Sequence, residues 1–432
     1  MSDEYIIPGH YKLLSAVITT LTGKQIDIVN MIPVFSIEES INKDSIRGFA
    51  TIYDNIGFIE DLPLRGEETL TIEVEDALKK KITYDLRLYK ISDVEIKKTN
   101  DGLIYKIFFM SNSSYNAMFN KIIQSFNNSI STIAKEIFDK NYLGQSRIVV
   151  EPTVGMFRCV MPNYNPMQAL NFLAQRAYSP GNPSSSFRFF ETSNSYYFVT
   201  DEYLIKEARE NIDSVKEFTY SDAIEKTGSN LVSQMQNLIE IRNTDRINTV
   251  EDILNGAYRS RTIEIDINYR RVNLPGKSNE NEYIYENEKT KYAKMTENSV
   301  VDVSQERHSP EFVDAYFTEQ NEKRYIVIKD WDEGSAGQIR GDQFLPEIVM
   351  NRTAYRHHLG TVTVHAKANG RLDINAGNIV NLKIPEFKSS SSVDLNKQLS
   401  GYYIVSDLTH YFERDNHQTI MKLIKYDWDT RE

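Results

Sequence analysis

An internal repeat constrains the fold of this chain more than any other feature of the sequence. Residues 86–111, LRLYKISDVEIKKTNDGLIYKIFFMS, resemble residues 401–426, GYYIVSDLTHYFERDNHQTIMKLIKY. Both segments run apolar into a Ser-Asp pair, become polar and then resume alternating apolar residues, which is the pattern of a β-hairpin. One β-unit is therefore predicted to occur twice, near the end of each half of the chain.

The repeat extends upstream of the hairpin in both copies. The matching segments that precede it are 32–41, 48–66 and 68–74 in the first copy, and 261–272, 360–377 and 378–385 in the second, and each begins as a predicted strand. Four matching segments in the same order indicate duplication of a small antiparallel barrel or sandwich. The repeat also predicts equivalent turn positions in the two copies, namely Gly48 with Gly360, Gly66 with Gly377, Ser92 with Ser406, and Asp93 with Asp407.

The segment between the copies has a mixed pattern. Its first part carries apolar residues at helical spacing, which are Met118, Ile122, Phe126, Ile130, Ile133 and Ile137. A second helix is predicted after Asn165, which can cap it, with Pro166 at the first helical position. Two strands follow within 185–204, so this insert is predicted to be α+β. Residues 323–331 form another predicted strand, which we expect to pair with the insert, and 342–359 a helix.

Composition narrows the function classes. The chain has 432 residues and a net charge of −11, which argues against a nucleic-acid grip because such binding needs clustered Lys and Arg. Its one cysteine, Cys159, excludes an internal disulfide. The first residues show no signal-peptide pattern, and no stretch has the eighteen apolar residues of a membrane span. We expect a protein that folds in a reducing cytosol.

No motif in the sequence specifies an active site. A nucleophile elbow, a phosphate loop and a dinucleotide fingerprint are all missing. The metal-ligand candidates are His357, His358 and His365, together with Asp330, Asp332 and Glu333 in an acidic turn. Solvated or helix-terminal side chains explain both groups, and core packing explains the aromatic strand 196–198. We therefore predict no catalytic, metal or cofactor site.

The residues also carry a resemblance to a known family. The order of VNMIPVFSIEESINKDSIRGFATIYDN, LPLRGEETLTIEV, YKISDVEI, FFMSNSSYNAM and finally GYYIVSDLTHYF resembles the baseplate hub proteins of contractile-tailed bacteriophages, the T-even hub and its relatives. A similar fold forms the first part of type VI secretion spike proteins. The resemblance covers nearly the whole chain.

The resemblance implies a structural role in the virion tail baseplate. Hub proteins of this family are homotrimers whose six similar barrels adapt a threefold spike to a sixfold tail tube and leave a channel for DNA. The implied partners are further copies of the chain, a trimeric spike protein and a hexameric tail tube protein, with baseplate wedge proteins and the tape measure as additional contacts. Because the sequence stops six residues after Tyr426, we expect the spike to be a separate polypeptide.

These observations together predict a mainly β chain with two duplicated antiparallel β-barrel, tube-like domains and an intervening α+β domain. The predicted divisions are a first barrel at 1–111, the insert at 112–205, a connecting segment at 206–260, a second barrel at 261–272 and 360–432, and an excursion at 273–359 that packs near the insert. The alternatives are a tail-associated peptidoglycan hydrolase, a type VI-like spike component, and a host-binding adhesin that uses the aromatic strand 196–198 in a sugar pocket.

Overall fold

A computed structural model of the chain describes most of its residues. They are 7–55, 57, 59, 64–96, 102–142, 147–182, 184–220, 231–245, 249–256, 259–266, 271–273, 283–286, 299–300, 310–316, 323–329, 344–359, 362–386, 395–426 and 428–429.

Strands dominate the described residues. In chain order they are β1 Tyr11–Thr19, β2 Gln25–Asp27, β3 Val34–Ser40, β4 Arg47–Asp54, β5 Thr69–Asp76, β6 Lys81–Ile96, β7 Leu103–Ser111, β8 Ser125–Asn128, β9 Ile148–Val150, β10 Phe157–Val160, β11 Arg188–Glu191, β12 Tyr196–Val199, β13 Lys216–Thr219, β14 Leu238–Asp245, β15 Arg259–Asp266, β16 Arg271–Asn273, β17 Tyr283–Glu286, β18 Ser299–Val300, β19 Lys323–Lys329, β20 Thr363–Asn369, β21 Ile379–Lys383, β22 Gly401–Glu413, β23 Asn416–Lys425 and β24 Trp428–Asp429.

The described helices are fewer than the strands. They are α1 Asn112–Met118, α2 Ile130–Asn141, α3 Pro166–Ala174, α4 Asp201–Glu210, α5 Leu231–Met235, α6 Thr249–Asn255, α7 Pro310–Tyr316 and α8 Leu345–Leu359. Among the helices that the structure describes, none combines the length and the apolar character that crossing a bilayer requires.

Thirteen of the strands form one curled sheet that contains the duplication. Its first half has the neighbour order β3-β4-β7-β6-β5-β1, and its second half has the order β14-β20-β23-β22-β21-β13. Position by position the two series match, and four of the five neighbouring pairs are antiparallel in both. The fifth differs, because β1 is antiparallel to β5 whereas β13 is parallel to β21. The chain is thus mainly β and built from one strand arrangement used twice.

Each half of the sheet encloses its own apolar core. β5 illustrates the local cause, since its sequence TLTIEVED alternates, so that Leu70, Ile72 and Val74 are buried while the residues between them are partly exposed. These residues join a core that includes Phe35 and Phe109. The second core has the same character, with members on every strand from β20 to β23 as well as on β13 and β14.

One correction concerns the first strand of the second copy. We predicted residues 261–272 for it, but β15 lies in a separate four-stranded sheet with β16, β17 and β19. The strand at the position of β3 is β14, which pairs with β20 and lies in the segment predicted to be a connection, 206–260. The physical reason is that alternation at period two identifies a strand but not its partner.

The prediction for residues 323–331 is also wrong in its pairing. β19 does not join the insert; it pairs in parallel with β15 from Ser260 opposite Lys323 to Asp266 opposite Lys329. β15 buries Ser260, Thr262 and Glu264, and Thr262 donates a hydrogen bond to the Pro346 carbonyl in α8. A strand with a polar buried face gives no hydrophobic signal of which layer it faces.

The insert contains α1 to α3 and two small sheets. Asn165 caps α3, as predicted, and the structure adds that it does so through a reciprocal pair of hydrogen bonds with Gln168. The continuous helical spacing from Met118 to Ile137 is instead divided, because β8 separates α1 from α2 and the cap of α2 is Ser129. α8 packs on the insert, where Arg352 donates to three backbone carbonyls, those of Ala174, Gln175 and Ser185.

Candidate functional site

The two halves of the large sheet are called the first barrel (β1 to β7) and the second barrel (β13, β14 and β20 to β23). They are joined edge to edge by a single long strand, β22. The first residues of β22 pair with β21 in the second barrel, from Ile404 opposite Ile379 to Gly401 opposite Leu382. Its remaining residues pair with β3 of the first barrel, from Asp407 opposite Ser40 to Glu413 opposite Val34. A one-residue bulge at Ser406 separates the two sections. Because β22 belongs to both barrels, it makes their sheets continuous.

An aromatic cluster fills this junction. Phe35 of β3 and Phe412 of β22 stack with ring centroids 4.3 Å apart and ring planes 8° apart. The ring of Tyr11 in β1 packs on Phe412 with centroids 4.9 Å apart, and the ring of His417 in β23 stacks on Phe412 with centroids 4.1 Å apart. Aromatic pairs of this kind add to the burial of apolar area. The cluster therefore fixes the first barrel against the second.

A buried histidine pair lies beside the aromatic cluster. His410 Nδ1 and His417 Nε2 are 3.0 Å apart, so one ring donates to the other. Burial lowers the pKa of His410 to about 4, and it lowers the pKa of His417 well below its usual value. Both rings are consequently neutral at physiological pH, so each has one donor and one acceptor nitrogen for a hydrogen bond between them.

The carboxyl group of Glu39 links three parts of the molecule. It accepts hydrogen bonds from the Ser193 amide at 2.8 Å and from the Ala376 amide at 3.0 Å. Glu39 belongs to the first barrel, Ser193 to the insert and Ala376 to the second barrel. Burial raises the pKa of Glu39 to about 7, against the lowering effect of these hydrogen bonds.

A second buried carboxyl group lies between the first barrel and the insert. Glu191 Oε2 accepts from the Ile46 amide at 3.1 Å and from Ser114 Oγ at 3.0 Å. Burial raises its pKa to about 7. It lines a cavity of about 570 Å³ that also contains Asp85 and Arg147. Neither glutamate had a signal in the sequence, because burial and partners decide the role of an acid.

The register of the sheet corrects the predicted turn equivalences. Gly48 lies opposite Phe109, and the residue in the same place on β20 is Val364, opposite Leu423. The predicted match of Gly48 with Gly360 is therefore wrong, and Gly360 itself lies outside the described residues. The two copies fill the same volume with different residues, since a bulky Phe faces glycine in one copy and a smaller Leu faces valine in the other. Matching glycine with glycine therefore gave the wrong alignment.

The two Ser-Asp pairs also lie at different register positions. β6 has a bulge between Leu88 and Lys90 and a second irregularity after Ser92, whereas β22 has its bulge between Val405 and Asp407. Ser406 therefore corresponds to Tyr89 and not to Ser92. Asp93 has a positive φ of 57° within the second irregularity, which β22 lacks, so it has no counterpart in Asp407.

The turns before β5 and β21 share an anchor that sequence comparison missed. Glu68 accepts a hydrogen bond from the amide three residues before it, that of Arg65, at 2.9 Å. Asn378 does the same with the amide of Asn375 at 2.8 Å. By this register Gly377 corresponds to Glu67, one residue after Gly66. A carboxylate and an amide oxygen serve the same turn, so residue identity concealed the match.

Only some of the metal candidates lie among the described residues. His357 lies in α8 and His365 on β20, while the side chain of His358 and the residues Asp330, Asp332 and Glu333 lie outside the described part. Within that part, no group of three or more His, Cys, Asp or Glu side chains is arranged to hold a metal ion.

The aromatic strand 196–198 packs against other side chains on both faces, and on the outer face Tyr197 stacks on Phe190 with ring centroids 5.0 Å apart. Tyr196 and Phe198 are buried in the apolar core of the insert. The hydroxyl of Tyr196 is 2.7 Å from Ser113 Oγ. This strand is not an open sugar platform.

Comparison with known proteins gives structural likeness only. No protein-family model matches the sequence, and no curated protein matches it. A tail protein from Neisseria meningitidis MC58 has a TM-score of 0.55 at 9% identity, covering 96% of this chain and 97% of that one. The 43 kDa tail protein of prophage MuSo2 from Shewanella oneidensis has a TM-score of 0.51 at 8% identity, covering 95% and 97%. The chain therefore has the fold of these two tail proteins over nearly its whole length.

Proposed function

We propose that this chain is the hub subunit of a phage or phage-like tail baseplate, acting as a homotrimer without a catalytic role. The observation that supports this most strongly is the edge-to-edge joint between two barrels of the same strand order, β22 on β3. If the same joint is repeated around a ring, three chains supply six nearly equivalent barrels. Closure of the ring would remove the free sheet edges that each chain otherwise exposes.

This arrangement explains why duplication is useful. The six barrels would match a hexameric tail tube, while segments present once per chain would keep threefold symmetry for a trimeric spike. Wedge proteins and the tape measure are further proposed contacts. DNA would pass through the central channel, and the net charge of −11 suits a surface to which DNA does not adhere. The proposed location is the virion tail.

Light scattering of the purified protein tests the trimer. We expect a mass of three times 50.0 kDa that holds over a wide range of concentration, because obligate interfaces of this class bury about 2,000–5,000 Å². Electron microscopy of the same sample should then reveal a ring with six similar lobes. A mass of one chain at every concentration would contradict the proposal, as would a trimer without a ring.

One observation favours a second candidate, a peptidoglycan hydrolase. The cavity that contains Glu191 and Asp85 holds two carboxyl groups, and the raised pKa of Glu191 suits a general acid. Against this, Glu191 is already hydrogen-bonded by the insert and the first barrel. We expect no clearing of peptidoglycan by the purified protein. Clearing that Glu191→Gln abolishes would establish the hydrolase.

A type VI-like spike component is the other alternative, and copurification with a phage tail tube protein would exclude it.

A further inference from the structure

We infer that a second copy of this chain docks through its β14 on the free edge of β6, repeating between chains the joint that β22 and β3 form within one. The inference rests on the proposed trimer and deepens it, because it names the strands and the register at which one subunit meets the next. Three steps lead to it: the equivalence of β6 with β22, the equivalence of β14 with β3, and the free edges of β6 and β14.

The strands β6 and β22 are equivalent residue by residue at the start of the joint. The Leu88 amide donates to the Glu68 carbonyl at 3.0 Å, and the Val405 amide donates to the Asn378 carbonyl at 2.9 Å. Each strand then bulges by one residue, immediately after Leu88 and Val405. A bulge bends a strand and re-aims the residues that follow. In β22, those residues no longer pair with β21 and pair with β3 instead, while β23 continues along the opposite edge.

The strands β14 and β3 are equivalent through their common neighbours. Phe35 of β3 lies opposite Ala50, which lies opposite Ile107. In the other barrel, Ile241 of β14 lies opposite Ala366, which lies opposite Met421. In both barrels the three paired residues lie on the first, second and third strands of the neighbour order, which are β3, β4 and β7 in one and β14, β20 and β23 in the other. The strand β14 thus has the place in the second barrel that β3 has in the first.

Both strands have an edge that no described strand covers. β6 pairs with β5 only as far as Arg87, and beyond its bulge it pairs only with β7 among the described residues. β14 ends the path of the large sheet, with β20 as its neighbour. In β22 the corresponding section carries β3. Among the described strands, the edge that β3 covers on β22 is therefore free on β6, and the edge that β22 covers on β3 is free on β14. A closed ring of such units requires this arrangement, because each free edge can pair with the next chain.

Transfer of the internal register predicts the contacts between chains. The intrachain pairs Thr409–Glu38, Tyr411–Ser36 and Phe412–Phe35 become Ser92–Asp245, Glu95–Arg242 and Ile96–Ile241 between chains. The pair Glu95–Arg242 places an acid opposite a base, and both side chains are exposed in the single chain. Opposite charges directly across an antiparallel pair are favourable. The two edges are thus complementary in charge as well as in backbone direction.

Disulfide crosslinking tests the register directly. In a Cys159→Ser background, which removes the only native cysteine, Glu95→Cys with Arg242→Cys should give covalent dimers and trimers on mild oxidation and nothing larger. The matched control is Glu95→Cys with Glu240→Cys. Glu240 shares a strand face with Arg242 but lies diagonally, where Cβ atoms are roughly 7–8 Å apart instead of 4.5–5.5 Å, beyond the reach of a disulfide. We expect at least tenfold less crosslinking in the control.

Charge reversal gives a second readout. Glu95→Arg or Arg242→Glu alone should raise the dissociation constant of the trimer at least tenfold, as measured by light scattering over a concentration series. The two substitutions together should restore the parent value. The outcomes separate the two proposals. A chain that is monomeric throughout overturns the trimer and this joint together. A trimer in which the Glu95–Arg242 cysteine pair stays reduced, or crosslinks no better than the control, overturns the joint alone.

Discussion

Phe35 and Phe412 stack face to face across the junction of the two barrels, with ring centroids 4.3 Å apart, although they are far apart in the chain. Both side chains are fully buried. Their strands, β3 and β22, are the only described strands that connect the two barrels by a ladder. The stack is thus the apolar centre of the contact on which the hub proposal depends.

Removing one ring should loosen the junction strongly. We expect Phe412→Ala to lower the free energy of unfolding by about 3–5 kcal/mol, because a large aromatic side chain leaves a cavity that the sheet cannot close. Denaturant titration followed by circular dichroism measures this. The control is Tyr411→Ala, the neighbouring residue on the other face of β22, for which a loss of about 1 kcal/mol is expected. Equal losses would mean that the stack is not the centre of the junction.

Glu39 should make stability fall as the pH rises. Its folded pKa of about 7 lies above the unfolded value of 4.5, so the folded state retains a proton that the unfolded state releases. This contribution is complete below pH 4.5 and is lost as the pH rises to about 7, amounting to on the order of 3 kcal/mol. We expect Glu39→Gln to gain stability relative to the parent protein over that range.

Chemical denaturation at a series of pH values checks this prediction. Glutamine keeps one acceptor oxygen for the two amides, so a constant loss of about 1–3 kcal/mol should accompany the changed pH dependence. Glu38→Gln is the matched control, since that side chain is partly exposed and pairs with Lys43. The difference between Glu39→Gln and the parent should depend on pH more strongly than the difference between Glu38→Gln and the parent. The reverse pattern would contradict a protonated Glu39.

The histidine pair should have the opposite effect on acid stability. Burial lowers the folded pKa of His410 to about 4, below the unfolded value of 6.5, and it also holds the pKa of His417 well below 6.5. The unfolded state therefore binds protons first as the pH falls below 6.5, and stability is lost towards pH 4. His417→Phe, which retains a ring to stack on Phe412, should reduce this loss. The measurement is the difference in unfolding free energy between His417→Phe and the parent, taken at pH 7 and at pH 5. Carboxyl groups titrate in both proteins, so their contribution cancels in this difference.

The duplication was predictable from sequence, whereas its residue-level alignment was not. Alternation at period two located the strands from β3 to β7 and from β20 to β23. It failed where identity was misleading, as at Gly48, whose counterpart is Val364, and at Ser406, whose counterpart is Tyr89. Packing explains this, because what is repeated is the backbone register and the filled volume. Glu39 and the histidine pair were invisible for a related reason, since their properties arise from burial.

The sequence comparison also implied that Gly66 and Gly377 would respond alike to substitution, and the structure predicts otherwise. Both have a positive φ, 81° and 85°, so a side chain at either costs about 1–2 kcal/mol. A Cβ at Gly66 would meet nothing closer than 3.7 Å, whereas at Gly377 it would lie 3.1 Å from the ring of Phe190. Gly377→Ala should therefore cost roughly 1–3 kcal/mol more than Gly66→Ala.

Thermal unfolding of the two variants measures that difference. Phe190→Leu provides the internal check, because a smaller side chain should relieve the crowding at residue 377 but not the backbone strain. We expect the loss caused by Gly377→Ala to shrink in the Phe190→Leu background to about that of Gly66→Ala. If the two losses are equal in the parent protein, contact with the insert does not restrict Gly377, and the positive φ alone accounts for the glycine.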